Sequence, residues 1–184
     1  MMHSNVDLLN AIKKGDLEIE PFSEKIIRPS GLTFHLGEDL LRPLPGKTVD
    51  VKNKVIPDYE EIKLLEDKPY ELKPGEFLLG HTLETVTVGP NLGFFIEGRS
   101  TLARVGLTIV QTAMLVYPGH RKRSITLELA NHGPNPILLY PKMKIARAAI
   151  IELKTPCSEQ YDDAGKYQGQ TSVGKPIFKN EIMS

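Results

Sequence analysis

The stretch Glu97-Gly98-Arg99-Ser100-Thr101-Leu102-Ala103-Arg104-Val105-Gly106 follows directly on an apolar run, Leu92–Ile96. The run is typical of a strand, and the glycine after it allows the chain to turn. Ser100 and Thr101 then predict the cap of a short turn or helix, with outward-pointing oxygens and N–H groups. Two arginines flank this cap, so the stretch suits phosphate oxygens, although a surface turn whose arginines pair with carboxylates would look the same.

Composition limits the class of protein. The chain has 184 residues, enough for one domain with a hydrophobic core, and 23 basic residues balance 23 acidic ones. A net charge of zero does not indicate a protein that binds nucleic acid. No apolar run is long enough to span a membrane, and the first twenty residues are too charged for a signal peptide. The single cysteine, Cys157, excludes an intrachain disulfide. We therefore expect a cytoplasmic protein.

One short helix is predicted near the start of the chain. Ser4 precedes Asp7 by three residues, which is a capping-box pattern. Apolar side chains then recur on one helical face, and Gly15 is well placed to end the helix.

After this helix the sequence predicts a mainly β domain. Short apolar runs alternate with Gly and Pro turns, without a repeat or a linker, which is typical of a sandwich or barrel. We therefore treat residues 1–184 as one domain. The predicted strands are Leu17–Ile19, Leu32–Leu36, Val49–Val55, Phe77–Leu83, Glu84–Val88, Leu92–Ile96, Leu107–Gln111, Ile125–Asn131, Ile137–Leu139 and Lys144–Glu152.

The last residues, about 160–184, differ from the rest because they are polar and rich in glycine. Two interpretations remain open. The segment is either a frayed terminus or a flexible arm that closes over a ligand through Lys166, Tyr167 and Gln170.

Glu128 is the first candidate for chemistry. In Ile125–Asn131 the apolar Leu127 and Leu129 alternate with Thr126 and Glu128, which predicts a strand with two different faces. Glu128 is either a solvent-facing carboxylate or, if its face borders a pocket, a group suited to proton transfer.

The turn after Pro118-Gly119 contains His120 and the basic run Arg121-Lys122-Arg123, and we expect all four side chains to be solvated. The five histidines show no pair at metal-ligand spacing. The chain also lacks the His-x-Glu and Pro-Cys-x-x-Cys motifs of zinc deaminases, the Gly-x-Ser-x-Gly motif and a Walker loop.

Taken in order, several blocks resemble the dCTP deaminase branch of the dUTPase-like superfamily. They cover most of the chain, and their agreement in order and spacing is far more specific than any single block. The blocks are Phe77–Glu84, Glu97–Gly106, Thr112-Ala113, Pro118-Gly119, Ile125–Asn131, Leu139–Ala146 and Lys166-Tyr167-Gln168-Gly169-Gln170.

The resemblance implies a distorted β-barrel of the β-clip type, assembled as a homotrimer with active sites shared between subunits. It implies zinc-free hydrolysis of the 4-amino group of dCTP to dUTP and ammonia, which supplies dUMP and dTTP synthesis. Some members of the family continue to dUMP and diphosphate. Magnesium would be bound by the triphosphate and not by a protein site.

The resemblance also assigns roles to particular residues. Glu128 matches the general acid and base, and Ser100 and Arg104 match the pair that positions the water and supports this carboxylate. Ala113 matches a backbone contact to the base. The remaining matches are contacts to the nucleotide, at Arg99, Ser100, Thr101, Lys166, Tyr167 and Gln170.

Two departures from the family pattern concern the sugar side of the site. Tyr117 stands where an aspartate is usual before Pro-Gly, and Leu115 stands where an arginine or aromatic residue is common. A phenol cannot act as a carboxylate base near neutral pH, so we expect no cleavage of dUTP. Recognition of deoxyribose is left open. The alternatives are a dUTPase-type diphosphatase and a non-catalytic trimer that binds a nucleotide.

Overall fold

The computed structural model describes residues 1–161, 165–167, 169–179 and 181–182. Its helices are α1 (Asn5–Lys14) and α2 (Ser100–Ala103), with a 3₁₀ turn at Glu24–Ile26. The strands are β1 (Leu17–Glu20), β2 (Ile27–Arg28), β3 (Gly31–His35), β4 (Asp39–Pro43), β5 (Tyr59–Lys63), β6 (Tyr70–Leu72), β7 (Phe77–His81), β8 (Thr85–Val88), β9 (Leu92–Gly98), β10 (Leu107–Thr108), β11 (Leu115–Val116), β12 (Thr126–Asn131), β13 (Ile137–Leu139) and β14 (Lys144–Glu152).

The predicted N-terminal helix is confirmed. Ser4 caps α1 by accepting the N–H of Asp7, whose carboxylate accepts the N–H of Ser4 in return. Gly15 ends the helix with φ of 78°, a left-handed conformation that glycine adopts without a steric penalty.

Two five-stranded antiparallel sheets form the body of the domain. The strand order is β10-β12-β7-β4-β5 in the first sheet and β11-β9-β14-β3-β2 in the second. Two small pairs, β1-β8 and β13-β6, complete the strands of the described residues. Side chains of both large sheets enter one core, where the rings of Phe34 and Phe94 lie 6.3 Å apart. The mainly β architecture is therefore confirmed.

One predicted strand, Val49–Val55, is wrong. Its four middle residues form a turn, joined only by an isolated bridge between Asp50 and Val55. The Asp50 carboxylate accepts the backbone N–H of Asn53 at 3.0 Å, and Lys54 has a φ of 57°. This local bonding competes with strand pairing, and it leaves the valines exposed.

Candidate active site

Glu128 lies in β12, the second strand of the first sheet. Its backbone N–H donates to the carbonyl of Ile109 at 2.9 Å, and its carboxylate Oε2 accepts the N–H of Gln111 at 2.8 Å. Leu127 and Leu129, on either side, are fully buried in the core. The predicted alternation is therefore confirmed, and the carboxylate is half-buried on the opposite face.

A cavity of about 590 Å³, here called the Glu128 cavity, opens on that face. Its walls come from β7, β12, the segment around β11 and the C-terminal arm, which we define as the described residues between 160 and 182. The residues that line it include Tyr59, Phe77, Leu79, Gln111, Thr112, Ala113, Leu115, Val116, Tyr117, His120, Arg123, Thr126, Glu128, Tyr161, Tyr167 and Gln170.

The Glu128 cavity brings together five of the predicted site residues. They are Glu128, Ala113, Tyr117, Tyr167 and Gln170. The arm is held in place by hydrogen bonds, since the Gln170 side-chain amide donates to the Thr126 hydroxyl at 2.6 Å. The arm therefore lies over the same strand that carries Glu128.

Lys166 is close to this group but lines neighbouring cavities, of about 830 and 890 Å³. Its ammonium group forms an ion pair with the Glu181 carboxylate. Gln168, part of the same sequence block, lies outside the described residues.

The remaining predicted residues do not reach the Glu128 cavity. Ser100, Thr101 and Arg104 are exposed on or next to α2, and Arg104 borders a separate cavity of about 650 Å³. The Arg99 guanidinium donates to the carbonyl of Lys144 at 3.1 Å. Arg99, not Ser100 or Thr101, occupies the cap position of α2, and it makes no side-chain cap bond. Within one chain, therefore, Glu128 lies in the cavity, whereas Ser100 and Arg104, the other two members of the predicted catalytic set, lie outside it.

The prediction that the basic turn is solvated is wrong for two of its four side chains. His120 and Arg123 are buried, with 8% and 2% of their surfaces exposed, whereas Arg121 and Lys122 are exposed as predicted. The reason is backbone pairing with β8. Val88 donates to the His120 carbonyl at 2.7 Å, while Val86 and Arg123 exchange two N–H···O bonds. This pairing directs His120 and Arg123 inward.

Tyr161, at the start of the arm, is the centre of an aromatic stack that the sequence did not indicate. Its ring stacks on His120 at 4.2 Å, and the Arg123 guanidinium lies 5.0 Å from its centre. Tyr117 is parallel to it within 9°, at 6.3 Å. Tyr161 also donates its N–H to the Pro118 carbonyl at 3.0 Å. We define Tyr117, Tyr161, His120 and Arg123 as the aromatic wall.

Tyr59 of β5 was also missed, because a tyrosine in an exposed, charged strand gives no signal of a site. It lines the Glu128 cavity beside the arm. Burial raises the pKa of the Tyr59 phenol, and the nearby Tyr167 raises it further. The phenol is therefore a neutral hydrogen-bonding group at physiological pH.

Within the described ranges, no three His, Cys, Asp or Glu side chains meet in an arrangement that could hold a metal ion. The helices of these ranges are also too short or too polar to cross a membrane.

The fold of this chain is similar to that of a solved β-sheet protein. The crystal structure of 2′-deoxycytidine 5′-triphosphate deaminase from Agrobacterium tumefaciens superimposes with a TM-score of 0.61 over 81% of this chain, at 15% identity. This chain spans 47% of that longer one. At such low identity the likeness concerns the fold alone.

Comparison of the sequence with known proteins identifies the family of this chain. The dCTP deaminase-like family matches residues 2–153, and this chain belongs to that family. A dCTP deaminase of Haloarcula marismortui is 35% identical over 93% of this chain and 91% of its own length. A relative from Corynebacterium diphtheriae, named dCTP deaminase, dUMP-forming, is 35% identical over 92% of this chain and 93% of its own. The resemblance inferred from the sequence blocks is thereby confirmed.

Proposed function

We propose that this protein hydrolyses the 4-amino group of dCTP, or of a closely related cytosine nucleotide, and releases ammonia. The observation that carries the proposal is the position of Glu128. Its half-buried carboxylate lines a cavity together with Ala113, Tyr167 and Gln170, the residues that the family pattern assigns to the base and the nucleotide tail. Family membership and the names of the relatives support the same activity.

In this reaction the Glu128 carboxylate accepts a proton from water, and the resulting hydroxide adds to C4 of the base. The C4–N bond then breaks, and the amine leaves as ammonia with the proton that Glu128 returns. The proton of the added hydroxyl moves to N3 as the C4 carbonyl of uracil forms. The backbone N–H of Gln111 holds the carboxylate in one orientation, at 2.8 Å from Oε2. Catalysis by one carboxylate needs no bound zinc, and the zinc-deaminase motifs are missing from the sequence.

The second part of the site comes from another copy of the chain. Ser100 and Arg104 are exposed and lie outside the Glu128 cavity, so they are free to enter the cavity of a neighbouring subunit. There Arg104 would stabilise the Glu128 charge, and Arg99, Ser100 and Thr101 would bind phosphate oxygens. A closed homotrimer with three shared sites satisfies this arrangement.

The product is dUTP, and magnesium enters with the triphosphate. Tyr117, at the position of the family aspartate, lines the cavity with a phenol in place of a carboxylate. Glu128 is the only carboxylate among the described residues that line the cavity, so these residues offer no second carboxylate for cleaving dUTP. Because several relatives, the Corynebacterium diphtheriae protein among them, are named dUMP-forming, release of dUMP and diphosphate is the second candidate. We expect the reaction to take place in the cytoplasm.

The test is to incubate the purified protein with magnesium and dCTP, CTP, dCMP or dUTP, with zinc chelated, and to measure ammonia and diphosphate separately. We expect ammonia from dCTP without diphosphate. Diphosphate in step with ammonia would favour the dUMP-forming reaction. Nucleotide binding without any product would support a non-catalytic trimer and overturn the proposal.

A further inference from the structure

Thr126 precedes Glu128 by two residues on β12, so both side chains lie on the same face of the sheet. Thr126 is half-buried and lines the Glu128 cavity. Its hydroxyl oxygen accepts a hydrogen bond from the side-chain amide of Gln170 at 2.6 Å. The proposed function gives Glu128 the proton transfer and Gln170 a contact to the nucleotide, but it gives Thr126 no part.

The path of the arm around Gln170 is fixed by other bonds. The Ser124 N–H donates to the Gln170 carbonyl at 3.2 Å, and the Ser124 hydroxyl donates to the Ser172 carbonyl at 3.3 Å. The Ser172 hydroxyl donates to the Asp39 carboxylate at 2.9 Å. Ser124 is buried, so its two bonds are shielded from water. The bond to Thr126 therefore concerns the side chain of Gln170 and not the course of the arm.

The Gln170 amide is confined on two sides. Its Nε2 is bonded to Thr126, and its Oε1 packs so closely on Gly174 that a side chain at this glycine would find no room. A glutamine amide carries two N–H donors and one acceptor oxygen, and its terminal torsion has two broad minima. With one N–H donated to Thr126 and the oxygen against Gly174, the second N–H remains for a ligand in the Glu128 cavity.

We propose that Thr126 is a positioning residue, whose hydroxyl turns the Gln170 amide so that an N–H faces an acceptor atom of the bound nucleotide. This inference rests on the proposed function, which places the nucleotide in the Glu128 cavity. Without the hydroxyl the amide loses a partner and spends part of its time in the opposite orientation. Nucleotide binding then weakens, whereas the carboxylate of Glu128 is unchanged.

The test is Thr126→Val, which removes the hydroxyl but keeps the branched shape that suits a strand. Calorimetric titration of the full-length protein with dCTP and magnesium should give a dissociation constant about fivefold higher than in wild type, since a neutral hydrogen bond contributes a factor of roughly 2 to 10. KM for ammonia release should rise by the same factor, with kcat within about twofold of wild type. A rise in the dissociation constant of less than about twofold overturns the inference.

Thr126→Ser restores the hydroxyl and should bring the dissociation constant back to within about twofold of wild type. If this variant binds as weakly as Thr126→Val, the hydroxyl is not the group that matters, and the inference is wrong. Thr85→Val is the matched control. Thr85 is a half-buried threonine of β8 that lines none of the cavities described above, and its replacement should leave binding unchanged.

A double-mutant cycle separates positioning from a purely structural role. If Thr126 acts through Gln170, Thr126→Val should add less than about twofold to the loss caused by Gln170→Ala. A full further loss in the double variant would mean that Thr126 acts without Gln170, which also overturns the inference.

Ammonia release, measured in parallel, distinguishes this inference from the proposed function. The expected pattern of dissociation constants without ammonia from the wild type overturns the deaminase proposal and supports the role of Thr126. Ammonia from a wild type that binds no better than Thr126→Val has the reverse meaning. Failure of the wild type to bind dCTP overturns both.

Discussion

The Glu128 strand and the Ser100 helix carry the two parts of one proposed catalytic set, yet they are built in opposite ways. β12 pairs with β10 on one side and β7 on the other, so Glu128 is held by a sheet. α2 has four residues, none of them buried, and no side-chain cap. We call the Glu128 strand the finished region, because it already forms the wall of a cavity, and α2 the displayed region, because its side chains are exposed. If α2 completes the cavity of a second copy, as proposed above, catalysis requires assembly.

The largest effect should come from the finished region. Glu128→Gln keeps the size of the side chain and its bond to the Gln111 N–H, but it removes the group that carries the proton. We expect ammonia release from dCTP to fall by about 10³-fold, within the range for general acid–base catalysis. Single-turnover ammonia assays measure this loss.

The control for Glu128→Gln is Glu18→Gln, because Glu18 is an exposed carboxylate on β1 that lines neither the Glu128 cavity nor the cavities beside it. It should keep full activity, and both variants should keep the thermal transition of the wild type. Near-normal turnover in Glu128→Gln would show that this strand does not carry the chemistry.

The second prediction tests the displayed region. Arg104→Ala removes a positive charge that the assembled site would place near the carboxylate, and we expect a loss of about 100-fold in kcat. The fold should be unaffected, because the Arg104 side chain is exposed.

Mixing the two inactive variants tests whether the site is shared. If Glu128→Gln and Arg104→Ala chains are unfolded, mixed in equal amounts and refolded, about one quarter of the sites should receive both intact residues from different copies. Restored activity of that order is expected in the mixture and in neither variant alone. A mixture as inactive as its components would place both residues in the same subunit's site.

Local sequence was enough to predict the finished region. The alternation around Glu128 identifies which face is buried, because a strand has period two and its core face must be apolar. The Ser4 and Gly15 signals likewise locate α1, since caps depend on neighbours within a few residues. The family blocks add the β architecture and the identity of the candidate residues.

Burial that depends on distant pairing could not be predicted in this way. His120 and Arg123 were expected in solvent because a short basic run after Pro-Gly is normally a surface turn. Pairing with β8, more than thirty residues earlier in the chain, turns them inward beneath Tyr161. Sequence patterns also cannot show that Ser100 and Glu128 are apart in one chain, because motif order carries no information on which subunit supplies a residue.

The third prediction concerns the contact of the arm, through Tyr161, with His120 and Arg123. Tyr161→Ala removes the stack on His120 and the contact with Arg123, so the arm should be held less firmly over the cavity. We expect KM for the nucleotide to rise about tenfold with a smaller change in kcat, since each aromatic or cation–π contact contributes of the order of 1 kcal/mol. Tyr161→Phe is the control, because it retains both ring contacts. Equal KM values for all three proteins would show that the stack does not position the arm.

The smallest effect is a dependence of stability on pH within the finished region. His81 of β7 pairs with Thr126 and is 6% exposed; its Nδ1 donates to the Thr82 carbonyl at 2.9 Å. Burial lowers the pKa of His81. The hydrogen bond to Thr82 opposes this shift, as do the charges of Asp39, whose carboxylate lies 3.8 Å from Nε2, and Glu38, while Lys63 acts in the same direction as burial.

Because the pKa of His81 is lower in the folded state, the unfolded chain takes up this proton first as the pH falls. The free energy of unfolding should therefore decrease as the pH drops below about 6.5, until the folded histidine is protonated as well. In His81→Asn this contribution is absent, so urea unfolding between about pH 7.5 and pH 5 should show a weaker loss of stability than in wild type. His132→Asn, a change at an exposed histidine, should follow the wild type. If His81→Asn and wild type lost stability in parallel, proton uptake by His81 would not be linked to unfolding, and the sheet that holds Glu128 would owe its acid sensitivity to other groups.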